Sequence, residues 1–272
     1  MSIKVAVAQM SPSENRARNL GNTLRMIRSA AAQGARLVVL PEMCTSPYML
    51  GDEDLSRWSE EIPSGQSFHA WLRASRDLEI AIVAGILECK DGLFYNTAIC
   101  LDKTGLLSHY RKMHLFGWEQ QRLAAGESFR QTAVFDGTKI GMLICYDLRF
   151  VEAVRSLALD GIQLLCLPKT WTDVGKSQPL DQYGLPGAAH LALGQAYANK
   201  IYVLCAGRVG TEKGVSYLGR SLIATPNGHI IAGPGSSDKE MLLVAEIEPT
   251  VANYKQIGNA NHVFKDRRTD LY

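Results

Sequence analysis

The sequence predicts a mixed α/β fold, a two-sheet core with helices outside it, and three observations carry that expectation. Short apolar runs, many rich in Val and Ile, recur at residues 3–8, 37–40, 80–87, 98–101, 139–145, 162–167, 201–206, 221–224 and 242–247. They are bounded by polar, Gly or Pro residues, as strands buried on both faces are. Helical patterns lie between several of them. The middle and the last third instead read as antiparallel hairpins, which a purely doubly wound fold lacks.

Taken in order, the strand at 3–8 is followed by a helix over 15–33, whose Leu20, Leu24, Ile27, Ala30 and Ala31 form a stripe at helical spacing, with Gly34 as its stop. A strand at 37–40, a helix over 67–78 and a strand at 80–87 come next. Residues 93–101 and 106–110 read as a hairpin joined by a four-residue turn, Asp102-Lys103-Thr104-Gly105. The strand at 139–145 leads into a helix over 150–159 ending at Asp160-Gly161. After the strand at 162–167, a helix is expected over 185–199, weakened by Gly187 and Gly194. Residues 217–247 are strand-rich, with turns at Pro226-Asn227-Gly228 and Gly233-Pro234-Gly235. No repeat, low-complexity tract or linker divides the chain, so residues 1–272 read as one domain. The charged tail 265–272 reads as extended, either frayed or docked on a partner.

Composition excludes several classes of function. Of the 272 residues, 46% are hydrophobic and 21% charged, an ordinary globular balance. Lys plus Arg number 29 and Asp plus Glu 27, a net charge of +2 that gives no broad attraction to nucleic acid or to an anionic membrane. No apolar run reaches the ~18 residues of a membrane span, and the N-terminus lacks a signal-peptide pattern. The six cysteines form no CxxC pair, and Cys89, Cys100, Cys166 and Cys205 lie in apolar runs as buried small hydrophobes. The chain therefore reads as soluble, reduced and cytoplasmic.

Motif tests narrow the chemistry. Gly175-Lys176-Ser177 ends like a phosphate-binding loop, but Thr170 stands where the first Gly is required. Gly207-Arg208-Val209-Gly210 is no dinucleotide fingerprint, GxSxG and HExxH are absent, and no metal site is expected. One segment stands out, residues 141–150, where an apolar strand feeds Cys145 into a helical pattern, followed by Tyr146, Asp147 and Arg149. A helix N-terminus there lowers a thiol pKa and offers N–H groups to an oxyanion. Taken alone, a Cys ending an apolar strand is more often a core residue; with Tyr146, Asp147 and Arg149 beside it, Cys145 reads equally as core and as nucleophile. Glu42, after the apolar run Leu37-Val38-Val39-Leu40-Pro41, reads either as half of a structural ion pair or as a functional carboxylate. The charges of Tyr110-Arg111-Lys112-Met113-His114-Leu115 fit a solvated loop as well as a site.

Together these residues make a pattern. The chain resembles the nitrilase superfamily of carbon–nitrogen hydrolases, with Glu in a PE context (Glu42), Lys in YRKxHL (Lys112) and Cys in GxxICYDxRF (Cys145). Glu119, seven residues before Gly126, fits the family's second Glu, and the resemblance runs from AVAQM to the DRRxDLY ending. The departures are Phe150-Val151-Glu152, where the family often has FPE, and Gln195-Ala196-Tyr197-Ala198-Asn199, where it often has RAxEN. The resemblance implies a four-layer α-β-β-α sandwich of the nitrilase type. It implies a homodimer or a larger homo-oligomer, with residues 250–272 docking on a neighbouring subunit.

It also implies a mechanism without cofactor or metal. Cys145 attacks a small carboxamide, Glu42 is the base, Lys112 and the Tyr146 N–H face the oxyanion, and Glu119 orients substrate or Lys112. Tyr48, Trp118, Tyr146 and Trp171 are expected as pocket walls. Amide hydrolysis is favoured by Tyr146-Asp147, since nitrilases proper usually carry Trp and Glu there. Nitrile hydrolysis, N-carbamoyl hydrolysis and a silent scaffold are the alternatives.

Overall fold

The computed structural model describes residues 2–173 and 180–271. Gly175-Lys176-Ser177 and Tyr272 of the tail lie outside the described residues. In chain order the first half holds β1 (Ile3–Gln9), α1 (Arg16–Ala32), β2 (Leu37–Val39), α2 (Asp52–Trp58), α3 (Gln66–Leu78), β3 (Ala81–Lys90), β4 (Leu93–Asp102), β5 (Gly105–Arg111) and α4 (Glu119–Arg122). The second half holds β6 (Thr132–Phe135), β7 (Thr138–Met142), α5 (Val151–Leu159), β8 (Leu164–Pro168), α6 (Gly187–Asn199) and β9 (Tyr202–Ala206). It continues with β10 (Val209–Glu212), β11 (Val215–Leu218), β12 (Leu222–Ala224), β13 (Ile230–Ala232) and β14 (Met241–Ile247).

Two six-stranded sheets form, ordered β14-β1-β2-β3-β4-β5 and β13-β12-β9-β8-β7-β6. Alternation of side chains along the strands makes the layers. Val5, Val7, Val39 and Val83 point into the core between the sheets, beside Ile140, Leu164 and Leu204. Ala6, Ala8, Val38 and Ile82 point the other way, onto Met26 and Ile27 of α1 and Phe68 and Trp71 of α3. Helices α5 and α6 cover the second sheet through Val154, Leu157, Ala189 and Ala192. The result is a four-layer α-β-β-α sandwich. Each fully buried Val, Leu or Ile contributes about 1.5–3 kcal/mol.

The element bounds are close to those expected, with instructive differences. Asn15 caps α1, its side chain accepting from Arg18 N at 2.9 Å. The β4–β5 hairpin closes with two residues, Lys103 and Thr104, not four, because the ladder pairs Asp102 with Gly105. The Asp102 carboxylate accepts from Thr104 N at 2.7 Å and so finishes the turn. β7 ends at Met142, and Cys145 opens a 3-10 turn, Cys145–Arg149, ahead of α5. β6 escapes the sequence reading because it is short and its Val134 is 62% exposed, so no buried run marks it. The C-terminal segment lies against its own chain, where Lys255 Nζ donates to the Asn199 and Lys200 carbonyls at 3.0 and 2.8 Å and stands 5.0 Å from the Phe264 ring. Among the described residues no helix is long and apolar enough to cross a membrane.

Candidate active site

Strand ends deliver the polar residues. Glu42 stands three residues past β2, Cys145 three past β7 and Lys112 one past β5, while Glu119 opens α4. Two glycines make the approach possible. A Cβ on Gly85 of β3 would meet Glu42 Cα at 2.5 Å, so only Gly lets the Glu42 turn lie on the neighbouring strand. A Cβ on Gly126 would meet the Arg111 carbonyl oxygen at 2.1 Å, and the Gly126 N–H donates to Lys112 O at 2.9 Å. That contact accounts for the spacing of Glu119 and Gly126.

Glu42, Lys112 and Glu119 are brought together and are fully buried. Lys112 Nζ donates to Glu42 Oε1 at 2.8 Å and to Glu119 Oε2 at 2.8 Å. Asn96 of β4 donates its Nδ2 to the same pair, at 2.7 Å to Glu42 Oε1 and 2.8 Å to Glu119 Oε1. Glu119 also accepts from Tyr48 Oη at 3.2 Å and Phe116 N at 2.8 Å. Burial opposes the Lys112 charge, but Glu119 and Glu42 outweigh it and hold the ammonium well above its ordinary pKa. Burial, with Glu42 adding to it, pushes the Glu119 carboxyl up against the pull of Lys112. Glu42 Oε2 has no hydrogen-bond partner among the described residues. That leaves one buried carboxylate oxygen with its hydrogen-bonding capacity open while Lys112 and Asn96 hold the other.

The sulfur is held differently. Among the described residues the hydrogen bonds of Cys145 Sγ go to main chain, accepting from Thr170 N and donating to Thr170 O at 3.5 Å each. Its backbone has φ 46°, a left-handed conformation costly for a residue with a Cβ. Asp147 anchors the turn, its Oδ2 accepting from Ile144 N at 2.9 Å and Tyr110 Oη at 2.7 Å, its Oδ1 from His114 N at 3.0 Å. One sequence expectation is corrected. Cys145 does not sit at an α-helix N-terminus that lowers its pKa; α5 begins only at Val151. Burial, reinforced by Glu42, pushes the thiol well above its ordinary value, and Lys112 offsets this only in part.

A cleft of about 420 Å³, its open mouth included, reaches the sulfur. Its walls include Tyr146, Trp171, Phe116, Leu148 and Leu191, with Arg149 as the charged lining residue. Of the four aromatics expected as walls, Tyr146 and Trp171 therefore border the cleft. Tyr48 and Trp118 do not line it. They pack edge-on at 5.8 Å on the Glu119 side, because the Tyr48 hydroxyl is drawn to that carboxylate. Sequence reasoning missed Asn96, Thr170 and Arg208 as parts of the site, and it singled out Asp147 beside Cys145 without giving it the anchoring role seen here. A polar Asn inside the apolar β4 run was the available signal for Asn96. Arg208 lies one residue past the Gly that follows β9 and gave none.

The model of the family described as carbon-nitrogen hydrolase matches residues 4–256. A Pyrococcus abyssi protein described as a nitrilase is 34% identical over 275 residues, covering 99% of each chain. The Homo sapiens omega-amidase NIT2 is 31% identical, with 100% of this chain and 97% of that one covered. Among solved structures, Saccharomyces cerevisiae Nit3, described as a member of branch 10 of the nitrilase superfamily, matches with a TM-score of 0.79. Its identity is 26%, and the match covers 93% of this chain and 92% of that one.

Proposed function

The chain belongs to the carbon–nitrogen hydrolase family, with the fold of the nitrilase superfamily, and on that premise we propose that it hydrolyses a small carboxamide to a carboxylic acid and ammonia through an acyl-enzyme on Cys145. The observation that carries the reading is the buried Lys112 ammonium shared by Glu42 and Glu119, with Glu42 Oε2 left open. Because the resting thiol is pushed up, the sulfur attacks as its proton passes to Glu42 Oε2 rather than as a standing thiolate. The carbonyl oxygen takes up the negative charge beside Lys112 and the Tyr146 N–H, and one such donor is worth roughly 3–4 kcal/mol in the transition state. The C–N bond then breaks, and ammonia leaves with the proton held by Glu42. Water, deprotonated by Glu42, next attacks the thioester, releasing the acid and returning the proton to the sulfur. Glu119 orients Lys112 and Asn96. The walls of the cleft favour a compact, apolar acyl group.

Relatives named omega-amidase and the Tyr146-Asp147 pair support amides; a relative named nitrilase keeps nitrile hydrolysis as the second reading. Ammonia release over matched amides, nitriles and N-carbamoyl compounds decides between them. We expect higher kcat/KM for propionamide and butyramide than for the corresponding nitriles, and a nitrile equal to or better than its amide replaces the amidase reading. Inertness of Cys145 toward iodoacetamide, together with no turnover, would return the scaffold reading. Val151 and Leu159 on α5 are 52% and 41% exposed, which supports pairing of two copies, to be checked by light scattering.

A further inference from the structure

Arg208 is the largest buried cation that the mechanism above does not use. It follows β9, in the sheet that carries Cys145, yet its side chain reaches the turn of the other sheet that carries Glu42. Nε donates to the Glu42 carbonyl at 3.1 Å, and Nη2 donates to the Ser46 carbonyl at 2.7 Å and to that of Met43. Nη1 donates to Glu212 Oε1 at 2.8 Å. Glu212 completes the grip, its Oε2 accepting from Tyr48 N at 2.7 Å and Met49 N at 3.1 Å. The guanidinium is 0% exposed and lies 5.9 and 5.8 Å from the Tyr48 and Tyr217 rings.

Three carbonyls of one turn thus converge on one planar cation, a geometry that suits Arg and not Lys. The turn has reason to need it. Met43, next to Glu42, has φ 46°, and such a conformation persists in a non-Gly residue only where its surroundings over-determine it. The two catalytic partners also sit on different sheets, so their separation depends on how one sheet end is fixed to the other. Arg208 is tied to the first sheet a second time, through the main chain, by Val209 N donating to Met10 O at 2.9 Å and Met10 N to Gly207 O at 3.1 Å.

We propose that Arg208, with Glu212 as its counter-ion, is a positioning residue that fixes the Glu42 carboxylate relative to Cys145 and acts on catalysis only through Glu42. The inference rests on Glu42 being the base. A base displaced by about an ångström loses ~10² in rate, whereas the substrate cleft, lined by other residues, keeps its affinity.

The test is a cycle measured with the amide of the panel that has the highest kcat/KM. Arg208→Lys is expected to lower kcat about 10²-fold with KM within about twofold, and Glu212→Gln to lower kcat about threefold to tenfold with the same KM. In a Glu42→Gln background, whose own loss is at least ~10³, Arg208→Lys is expected to cost less than about twofold more. A purely structural Arg208 would cost the same factor in both backgrounds, and that additivity overturns the proposal. So does an Arg208→Lys protein with kcat within about twofold of wild type. If Arg208→Lys does not fold, Glu212→Gln decides alone: lowered kcat at constant KM supports the proposal, and unchanged kcat or raised KM overturns it. If Glu42→Gln itself keeps full kcat, the base assignment fails, an outcome separate from a null result at Arg208.

Discussion

Glu42 and Cys145 occupy equivalent places in the two sheets. Each lies three residues past a buried strand with a parallel neighbour, and each turn contains one residue at φ 46°, Met43 in one and Cys145 itself in the other. Their surroundings differ. The Glu42 side is a closed set of charges and donors, in which Lys112, Glu119, Asn96 and Tyr48 hold one another and Arg208 grips the backbone. The Cys145 sulfur has two weak contacts to one residue's main chain, and it faces the cleft. The lesson is a division of labour. In the proposed mechanism the charge needed before reaction is preorganised and buried, while the sulfur proposed as nucleophile is left chemically unencumbered, its turn pinned by Asp147 through Ile144 N.

Substitutions on the two sides should therefore differ in kind. Cys145→Ala is expected to abolish turnover, below ~1% of wild type, while lowering stability by no more than about 1–2 kcal/mol, since it removes one sulfur with weak partners. Activity assays and thermal melts of one preparation check both halves. Lys112→Met should do the opposite in stability: turnover falls at least ~10³-fold, and folding also loses about 3–5 kcal/mol, because two buried carboxylates are left facing each other. That loss should shrink on acidification, as protonation relieves the repulsion; urea melts at pH 5 and 8 test it. A Lys112→Met protein as stable as wild type would break the comparison. Glu119→Gln is expected to be milder, about 10–100-fold in kcat, since Phe116 N, Tyr48 and Asn96 still hold the side chain while Lys112 loses one of two counter-charges. Its effect should vary between amides, which kcat and KM across the panel will show.

How much of this was legible follows from where the information resides. Glu42, Lys112, Cys145 and Glu119 stand out because each is a reactive or charged type at the end of an apolar run, where burial without purpose is unfavourable. The layers were legible because period-2 and period-3.6 patterns carry them locally. Asn96, Thr170 and Arg208 were not, since each acquires its partner from a distant strand, as Arg208 does from residues some 165 positions away. Nor can sequence say which way an aromatic turns: Tyr48 and Trp171 look alike as candidates, and only the fold puts one behind Glu119 and the other on the cleft. The thiol pKa was misjudged for a related reason. A strand followed by a helical pattern suggested a helix dipole, whereas a 3-10 turn intervenes and burial beside a carboxylate dominates.

The smallest expected effect concerns a group that belongs to neither half of the comparison. Lys169, between β8 and Thr170, is fully buried, donates Nζ to the Gly219 carbonyl and stands 3.7 Å from the centroid of the Trp171 ring. Burial pushes its pKa down to about 7 from an ordinary 10.5, against the opposing pull of Cys205, Cys145 and Glu42. The sign follows from proton counting. Below about pH 7 both folded and unfolded chains hold the proton, so stability is flat in this group and the full burial penalty applies. Between about 7 and 10.5 only the unfolded chain holds it, so stability rises with pH, with a limiting slope of about 1.4 kcal/mol per pH unit. The buried thiols of Cys44, Cys100 and Cys205, each pushed up to about 12, act the other way, lowering stability once pH exceeds about 9. The Cys44 and Cys100 contributions are common to wild type and a Lys169→Met variant, whereas Cys205 is itself lowered by Lys169, so the difference between their stability–pH curves isolates the lysine below about pH 9. Lys169→Met is expected to be the more stable protein at pH 6, with its advantage shrinking steadily above pH 7 as the wild-type lysine sheds its proton. Turnover should change only a few-fold, through the Trp171 wall of the cleft. Parallel curves would mean that Lys169 keeps its charge in the folded protein at neutral pH, as Lys112 does, and the contrast between a buried lysine held by two carboxylates and one held by a carbonyl and an aromatic ring would be lost.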